Sequence, residues 1–263
     1  MSRSLFLLSM LTFSSIQAIN QIARDAGARI MDIYHNEDFS QVVDFKADSS
    51  PLTIADREAH RIIEAELHKI YPDIPVLSEE GKHTDYEIRK KWPVYWLVDP
   101  LDGTKEFIKR NGEFTVNIAL IENNRPIAGV IYAPVPQVLY FATMLFGAFK
   151  QAHNQEPSPI EVNNKSTDLI AVSSRSHADE AEEKLLSQYP ISGQVAIGSS
   201  LKFCLIAEGN ADLYYRHGPT MEWDTGAGQA ILEIAGGTVK NLEGENLPYN
   251  KPSLVNGSFI CQG

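Results

Sequence analysis

The spacing of apolar residues predicts two amphipathic helices in the N-terminal part of the chain. In the first, isoleucine and alanine recur every three or four positions from Ile16 to about Tyr34. The second follows the segment Thr-Ile-Ala-Asp at residues 53–56. Its inner face should carry Ala59, Ile62, Ile63, Leu67 and Ile70. Each helix should therefore bury one face in the core.

Runs of apolar and β-branched residues predict strands farther along the chain. Residues 114–121 and 127–132 flank a hairpin loop at 122–125, and two further runs continue an antiparallel sheet. After a polar, proline-containing stretch at 155–159, predicted strands and helices alternate. We therefore expect an α+β fold, with an antiparallel-sheet half over residues 1–155 and an α/β half over residues 156–263.

A very apolar run at residues 94–98 ends in Asp-Pro-Leu-Asp-Gly-Thr. Because proline cannot extend a sheet ladder, we predict that the strand ends and the backbone turns at Pro100, so that Asp99 and Asp102 converge. Two nearby carboxylates repel one another unless a cation lies between them. Oxygen ligands of this kind suit Mg²⁺. A plain surface turn is the alternative, but a buried strand places these acids at the edge of the core.

The residues that follow Asp102 favour an anion. The amides of Gly103 and Thr104 should open a short helix, where unpaired N–H groups and the helix dipole attract negative charge. The sequence therefore predicts a metal and a phosphate side by side.

Other acids have a structural explanation as well. Thr53 and Asp56 form a capping-box pair at the start of the second helix. Asp224 is placed as the N-cap of a helix that ends at Gly236. The Glu-Glu pair at 79–80 is by itself typical of a solvated turn.

Charge and composition narrow the class of protein. The net charge of −11 argues against a nucleic-acid-binding protein, and an acidic protein that handles phosphates would need metal ions. The two cysteines, Cys204 and Cys261, have neither disulfide nor zinc spacing, and we expect free thiols in a reducing cytoplasm.

The N-terminus is apolar from residue 5 to residue 13 but lacks a convincing signal-peptide cleavage site and is too short to span a bilayer. We interpret it as a helix extension, a start-site artefact or a peripheral contact with the cytoplasmic face of the inner membrane. The acidic net charge argues against strong electrostatic membrane attachment.

Taken together, the motifs resemble the signature set of the inositol monophosphatase superfamily of lithium-sensitive, magnesium-dependent phosphatases. The resemblance lies in four segments that occur in the family order, namely Thr-Ile-Ala-Asp at 53–56, Glu-Glu at 79–80, Asp-Pro-Leu-Asp-Gly-Thr at 99–104 and Trp-Asp-Thr-Gly-Ala at 223–227. It implies a layered αβαβα sandwich.

Within that superfamily the chain looks most similar to bacterial 3′(2′),5′-bisphosphate nucleotidases. This likeness lies in residues 77–80, 102–118, 174–177 and 198–204. It implies a cytoplasmic enzyme that cleaves adenosine 3′,5′-bisphosphate, a by-product of sulfate activation, to AMP and phosphate.

The resemblance also implies the roles of individual residues. Two or three Mg²⁺ ions would be held by Glu79, Asp99, the Leu101 carbonyl, Asp102 and Asp224. Asp56, acting through Thr104, would orient the attacking water. The substrate would contact Glu79, Gly103, Thr104, Ser174, His177, Lys202 and Asp224.

The sequence is also compatible with other functions. An inositol monophosphatase or a sugar bisphosphatase could use the same scaffold, although Lys-Glu-Phe at 105–107, in place of the usual Thr-Asn-Phe, favours the nucleotidase. A non-catalytic nucleotide or metal sensor is a more remote possibility, because every acid of the motif set is present. Partners beyond a small nucleotide, and the oligomeric state, are not predicted.

Overall fold

The computed structural model describes residues 12–35, 43–45, 51–175 and 180–263 of the chain. The helices are α1 Phe13–Tyr34, α2 Ile54–Ile70, α3 Tyr86–Arg89, α4 Thr104–Ile108, α5 Glu180–Leu186, α6 Leu201–Ala207 and α7 Glu222–Ile234. The strands are β1 Val43–Phe45, β2 Pro51–Thr53, β3 Val76–Ser78, β4 Val94–Asp102, β5 Thr115–Glu122, β6 Arg125–Ala133, β7 Val138–Thr143, β8 Gly147–Gln151, β9 Ser158–Pro159, β10 Leu169–Ser174, β11 Ile191–Ile197, β12 Leu213–Arg216, β13 Thr220–Met221, β14 Thr238–Asn241, β15 Val255–Asn256 and β16 Phe259–Gln262.

Strands β3 to β9 form a seven-stranded sheet in chain order. All neighbours are antiparallel except β3 and β4. The predicted hairpin between β5 and β6 turns on Asn123 and Asn124, whose φ angles are +48° and +62°. Asparagine tolerates this left-handed conformation, and a turn of this hand matches the twist of the strands.

The second sheet has five strands in the order β11-β10-β12-β16-β14. Strand β10 runs parallel to both β11 and β12, whereas β16 is antiparallel to β12 and β14. The parallel part arises from strand–helix alternation, as the sequence predicted. Strand β9, beyond residue 155, still pairs with β8. The division into subdomains at residue 155 stays a prediction.

Five layers of alternating helix and sheet make up the fold. Helices α1 and α2 cover one face of the first sheet, α6 and α7 lie between the two sheets, and α5 packs on the outer face of the second sheet. Side chains of β4 alternate between the two faces of the sheet. Trp96 and Val98 pack on the side of α1 and α2, whereas Tyr95 and Leu97 pack on the side of α7. The predicted αβαβα sandwich is confirmed.

Two local predictions need correction. Strand β4 does not end before Pro100 but continues to Asp102, because a bulge accommodates the proline within the ladder. Ile70, predicted on the inner face of α2, is 40% exposed and is the last residue of the helix.

Some predictions fall on residues that the structure does not describe. Among them are most of the apolar N-terminal segment and His177. In the described part of the chain, no helix is both long and apolar enough to cross a membrane. Both cysteines are buried and form no disulfide, as predicted.

Helix α7 packs closely against the first sheet at Gly129 of β6. A Cβ atom there would lie 2.5 Å from the Ala227 carbonyl oxygen and 3.0 Å from the Ala230 Cβ. Gly129→Ala should therefore lower the free energy of unfolding by about 1–3 kcal/mol, measured by urea denaturation. The control is Gly257→Ala, because a Cβ at Gly257 meets nothing within 4 Å. Equal stability of the two variants would contradict this close packing.

Candidate active site

A β-bulge in β4 places the first pair of acids. Asp99 pairs with Asn117 and Asp102 with Thr115, so two residues of β4, Pro100 and Leu101, lie opposite one residue of β5. Such a bulge bends the strand and redirects its side chains. The Asp99 carboxylate is 2% exposed and accepts a hydrogen bond from the Leu101 amide at 3.0 Å. The convergence of the acids was predicted, but a bulge rather than a turn produces it.

The Glu79 backbone reaches the same strand end from β3. Ser78 pairs with Val98, and the Glu79 amide donates to the Val98 carbonyl at 3.1 Å. Because β3 and β4 are parallel, the residue after β3 lies beside Asp99. The structure thus brings together two motifs whose proximity could not be derived from the sequence.

Donors from the second half of the chain bind Asp102. One oxygen of its carboxylate accepts from the Ser199 hydroxyl at 2.8 Å and from the Ser200 amide and hydroxyl, each at 2.7 Å. Asn117 Nδ2 lies 3.4 Å from the same oxygen. Several donors on one oxygen fix the orientation of the carboxylate.

Asp224 enters the site from the N-terminus of α7. The sequence predicted Asp224 as the N-cap residue. In the structure it is the third residue of the helix, and Met221 occupies the cap position. The Asp224 carboxylate reaches back to accept from the Met221 amide at 2.8 Å. The prediction was wrong because an acid at this position can satisfy the first free amide from inside the helix.

Burial and mutual repulsion dominate the electrostatics of this cluster. Removal from water, reinforced by the charges of Glu79, Asp102 and Asp224, raises the pKa of Asp99 well above its usual range. Burial and the nearby Asp102 raise the pKa of Asp224 in the same way. Charge among buried acids is costly unless a cation compensates it.

The donor set fits Mg²⁺. Four carboxylates and the Leu101 carbonyl supply oxygen atoms, which this ion prefers. As placed, the described residues contain no group of three or more His, Cys, Asp or Glu side chains close enough to hold a metal. Hydrogen bonds to Asp99, Asp102 and Asp224 direct these carboxylates toward backbone and serine donors instead.

Asp56 lies behind the acid cluster in the predicted capping box. Thr53 donates to Asp56 Oδ2 through its hydroxyl and, at 2.8 Å, through its amide, while the Asp56 amide lies 3.4 Å from the Thr53 hydroxyl. The other oxygen, Oδ1, accepts from the Thr104 hydroxyl at 3.2 Å. Asp56 therefore caps α2 and contacts Thr104 at once. Burial raises the pKa of Asp56 to about 6, although the Thr53 hydrogen bonds oppose this shift.

A cleft of about 410 Å³ opens over these residues. All the predicted site residues line it except Asp56, which lies behind Thr104, and His177, which the structure does not describe. Gly103 forms the start of α4 with a φ of +91°, and a Cβ there would lie 3.0 Å from the Glu113 carbonyl oxygen. Only glycine suits this position. The predicted short helix after Asp102 is present.

The far wall of the cleft is cationic and aromatic. Lys202 is 7% exposed, and its ammonium donates to the Ser199 carbonyl at 2.7 Å and lies over the Tyr214 ring. Burial lowers the pKa of Lys202, and the positive charge of Arg216 lowers it further, although nearby acids partly oppose this. Two cations held close together favour an anion between them.

Arg216 and Tyr214 are residues that the sequence analysis missed. Arg216 Nη1 is 3.7 Å from Glu182 Oε1, while its Nε is buried without a hydrogen-bond partner among the described residues. Arg216 comes at the carboxyl end of a predicted strand, which is the signal that could have found it. The position of this strand in the second sheet, next to α6, could not have been predicted from the sequence.

Comparison with known proteins shows the family to which the chain belongs. The sequence pattern of the Inositol monophosphatase family matches residues 14–262. The chain belongs to the inositol monophosphatase family. The resemblance inferred from the motifs is thereby confirmed.

Individual members of the family differ in how similar they are to this chain. The chain is 48% identical over 248 residues to the 3′(2′),5′-bisphosphate nucleotidase CysQ of Escherichia coli strain K12, covering 93% of this chain and 98% of the relative. The crystal structure of CysQ from Bacteroides thetaiotaomicron superposes with a TM-score of 0.84 at 44% identity, covering 97% of this chain and 98% of that one. Inositol monophosphatase from Anabaena matches at 26% identity with a TM-score of 0.73, covering 94% and 89%.

The repulsion within the acid cluster has a measurable consequence. Asp99→Asn keeps an oxygen for the Leu101 amide but removes a buried charge, so the metal-free variant should be more stable than the wild type. Urea unfolding at neutral pH with a chelator measures the difference. We also expect Mg²⁺ to stabilise the wild type more than the variant.

The control for this measurement is Asp32→Asn on α1. The Asp32 side chain is 72% exposed, so its loss should change the free energy of unfolding by less than about 0.5 kcal/mol. A metal-free Asp99→Asn protein that is less stable than the wild type would show that repulsion does not dominate the cluster.

Proposed function

We propose that the protein is a magnesium-dependent 3′(2′),5′-bisphosphate nucleotidase that hydrolyses the 3′-phosphate of adenosine 3′,5′-bisphosphate to AMP and phosphate. The observation that carries this proposal is the joint arrangement in one cleft of a buried acid cluster, the Asp56–Thr104 pair and a cationic wall. Nearly full-length identity of 48% to a curated nucleotidase supports the same activity.

We propose that two or three Mg²⁺ ions are held by the carboxylates of Glu79, Asp99, Asp102 and Asp224 and by the Leu101 carbonyl. The oxygen donors and the charge of the cluster support this assignment. When bound, the metal supplies Lewis-acid activation of water and neutralises the charge that builds on the phosphate and the leaving ribose oxygen.

The Asp56–Thr104 pair should orient the attacking water. Thr104 cannot give its single proton to two acceptors, and its oxygen lies 3.2 Å from Asp56 Oδ1 and 3.3 Å from the Leu101 carbonyl. A hydroxyl that donates to Asp56 turns its lone pairs toward the cleft, where they accept a hydrogen bond from water. The amides of Gly103 and Thr104 then face the phosphate oxygens.

The 5′ side of the nucleotide should lie against the opposite wall. Lys202 and Arg216 supply two positive charges for the 5′-phosphate, and Ser174 lines the same cleft. An inositol monophosphate carries no second phosphate for these cations, so their placement favours the bisphosphate substrate. His177 stays a predicted contact outside the described residues.

We also propose a cytoplasmic location, which suits two buried free thiols. Membrane contact is proposed to be at most peripheral. The supporting feature is a group of exposed apolar side chains at the β7–β8 turn, where Phe146 contacts Phe13 at the start of α1.

The proposed activity is tested by phosphate release from adenosine 3′,5′-bisphosphate, adenosine 3′-phosphate and inositol 1-phosphate. Each substrate is assayed with Mg²⁺, with a chelator and with added Li⁺. We expect turnover that requires Mg²⁺ and is inhibited by Li⁺. The KM should be lower for adenosine 3′,5′-bisphosphate than for adenosine 3′-phosphate. Preference for inositol phosphate would keep the site and overturn the substrate, and absence of turnover on all three would favour a sensor.

Thr104 gives a sharp test of the water-orienting pair. Thr104→Ala should lower kcat by roughly 10²–10⁴-fold, because the water loses its acceptor, with a much smaller change in KM. Thr104→Ser keeps the hydroxyl and is the matched control, expected to retain most of the activity. If both variants lose activity equally, the methyl packing of Thr104 rather than its hydroxyl is what matters.

A further inference from the structure

Glu113, between α4 and β5, joins the two halves of the molecule. Its Oε2 accepts from the Gly198 amide at 2.8 Å and from Arg175 Nε at 2.6 Å, and its Oε1 accepts from Arg175 Nη2 at 2.6 Å. Arg175 Nη2 also donates to the Ala196 carbonyl at 2.7 Å. A single carboxylate thus contacts the ends of both β10 and β11. Bidentate pairing of this kind fixes geometry as well as charge.

The segment after Gly198 is held in a constrained conformation. A Cβ on Gly198 would lie 2.9 Å from both the Glu106 Cγ and the Glu113 carbonyl oxygen. Ser199 has a φ of +57°, in the left-handed region that serine rarely adopts. Such a backbone persists only where its surroundings fix it. The Glu113 carboxylate is one of the groups that do so.

Residues 198–202, here called the serine segment, contain Lys202, one of the two cations in the far wall of the cleft. Ser200 donates to Asp102 through its amide, and the Lys202 ammonium is held by the Ser199 carbonyl at 2.7 Å. The Asp102 backbone is fixed independently of the segment, because β4 pairs with β5 at Thr115, whereas its carboxylate also accepts from Ser199 and Ser200. Loosening the segment would therefore move Lys202 more than the Asp102 backbone.

We propose that Glu113 is a positioning residue that sets the affinity for the 5′-phosphate by holding the serine segment in place. This inference rests on the proposed function, because it assigns Lys202 to the 5′ side of a nucleotide. Glu113 itself does not line the cleft. It acts through Gly198, and the hydrolysis of the 3′-phosphate does not require it.

Kinetics with two nucleotides test the positioning role. Glu113→Ala should raise the KM for adenosine 3′,5′-bisphosphate roughly tenfold, the usual effect of leaving a hydrogen-bond donor unpaired. The kcat for that substrate, and the KM for adenosine 3′-phosphate, should stay within about twofold of the wild type. Lys202→Met should raise the KM for adenosine 3′,5′-bisphosphate as well, since it removes the charge directly.

Two further variants sharpen the comparison. Glu113→Gln keeps an acceptor for Gly198 but loses the ion pair with Arg175, so its effect should be smaller than that of Glu113→Ala. Glu87→Ala removes an acid of α3 whose side chain is 70% exposed and pairs with the nearby Lys90, and it should match the wild type. An equal rise in KM for both nucleotides in Glu113→Ala would overturn the positioning role.

Hydrogen exchange provides a readout that does not depend on substrate. In Glu113→Ala the amides of the serine segment should exchange faster, while those of β4 and β5 remain unchanged. Unchanged exchange at Gly198 would overturn the inference. If the wild-type enzyme hydrolyses neither nucleotide, the proposed function fails, whereas exchange still decides whether Glu113 holds the segment.

Discussion

Repulsion between buried carboxylates is the constraint on which this structure depends. Asp99 and Asp224 come from different halves of the chain, and burial together with neighbouring acids raises the pKa of each. Flexible side chains would relieve the repulsion by moving apart. Here each acid is held by a backbone amide, from Leu101 for Asp99 and from Met221 for Asp224. Rigid elements thereby keep negative charge concentrated where a divalent cation would neutralise it.

The N-terminus of α7 shows how the surrounding fold maintains this arrangement. Glu222, fully buried beside the helix start, accepts from the Asn250 amide at 2.7 Å and from the Lys251 amide at 3.0 Å and ammonium at 2.7 Å. These contacts anchor the helix end to the segment before β15. The close approach of α7 to β6 at Gly129 fixes the helix from the other side. Asp224 is therefore positioned by packing along α7 and by polar contacts at its end.

Local patterns were sufficient to predict most of the fold. Alternation and loop residues identified the β5–β6 hairpin, and the spacing of Thr53 and Asp56 identified a cap that the structure contains. The bulge at Pro100 was missed because its geometry depends on pairing with β5, not on the proline alone. Likewise, Asp224 could be assigned to a helix start, but its place within the first turn depends on where β13 ends.

The candidate site was predictable to the extent that its motifs are local. The convergence of Asp99 and Asp102 was predicted from one local motif, whereas the approach of Glu79 depends on the parallel pairing of β3 and β4, which the sequence did not show. The contact between Ser200 and Asp102 joins residues 98 positions apart, and that between Glu113 and Gly198 joins residues 85 positions apart. Contacts at such separation arise only when two sheets and α7 have packed. Arg216 comes at the carboxyl end of a predicted strand, but for the same reason neither the pairing of that strand beside α6 nor the contact of Glu113 with Gly198 could be predicted.

This division between local and distant contacts matches a division of chemical roles. The acids and the Asp56–Thr104 pair are positioned by the first sheet, α2 and α7, and in the proposed function this set acts on the phosphate that is cleaved. The cations Lys202 and Arg216 belong to the second half, and we propose that they bind the rest of the substrate. A scaffold organised in this way can change its leaving group by altering the serine segment or β12 while the acid cluster stays unchanged. On this proposal the selectivity of the protein depends on the contacts that join the two halves, and the contact of the Glu113 carboxylate with the Gly198 amide is one of them.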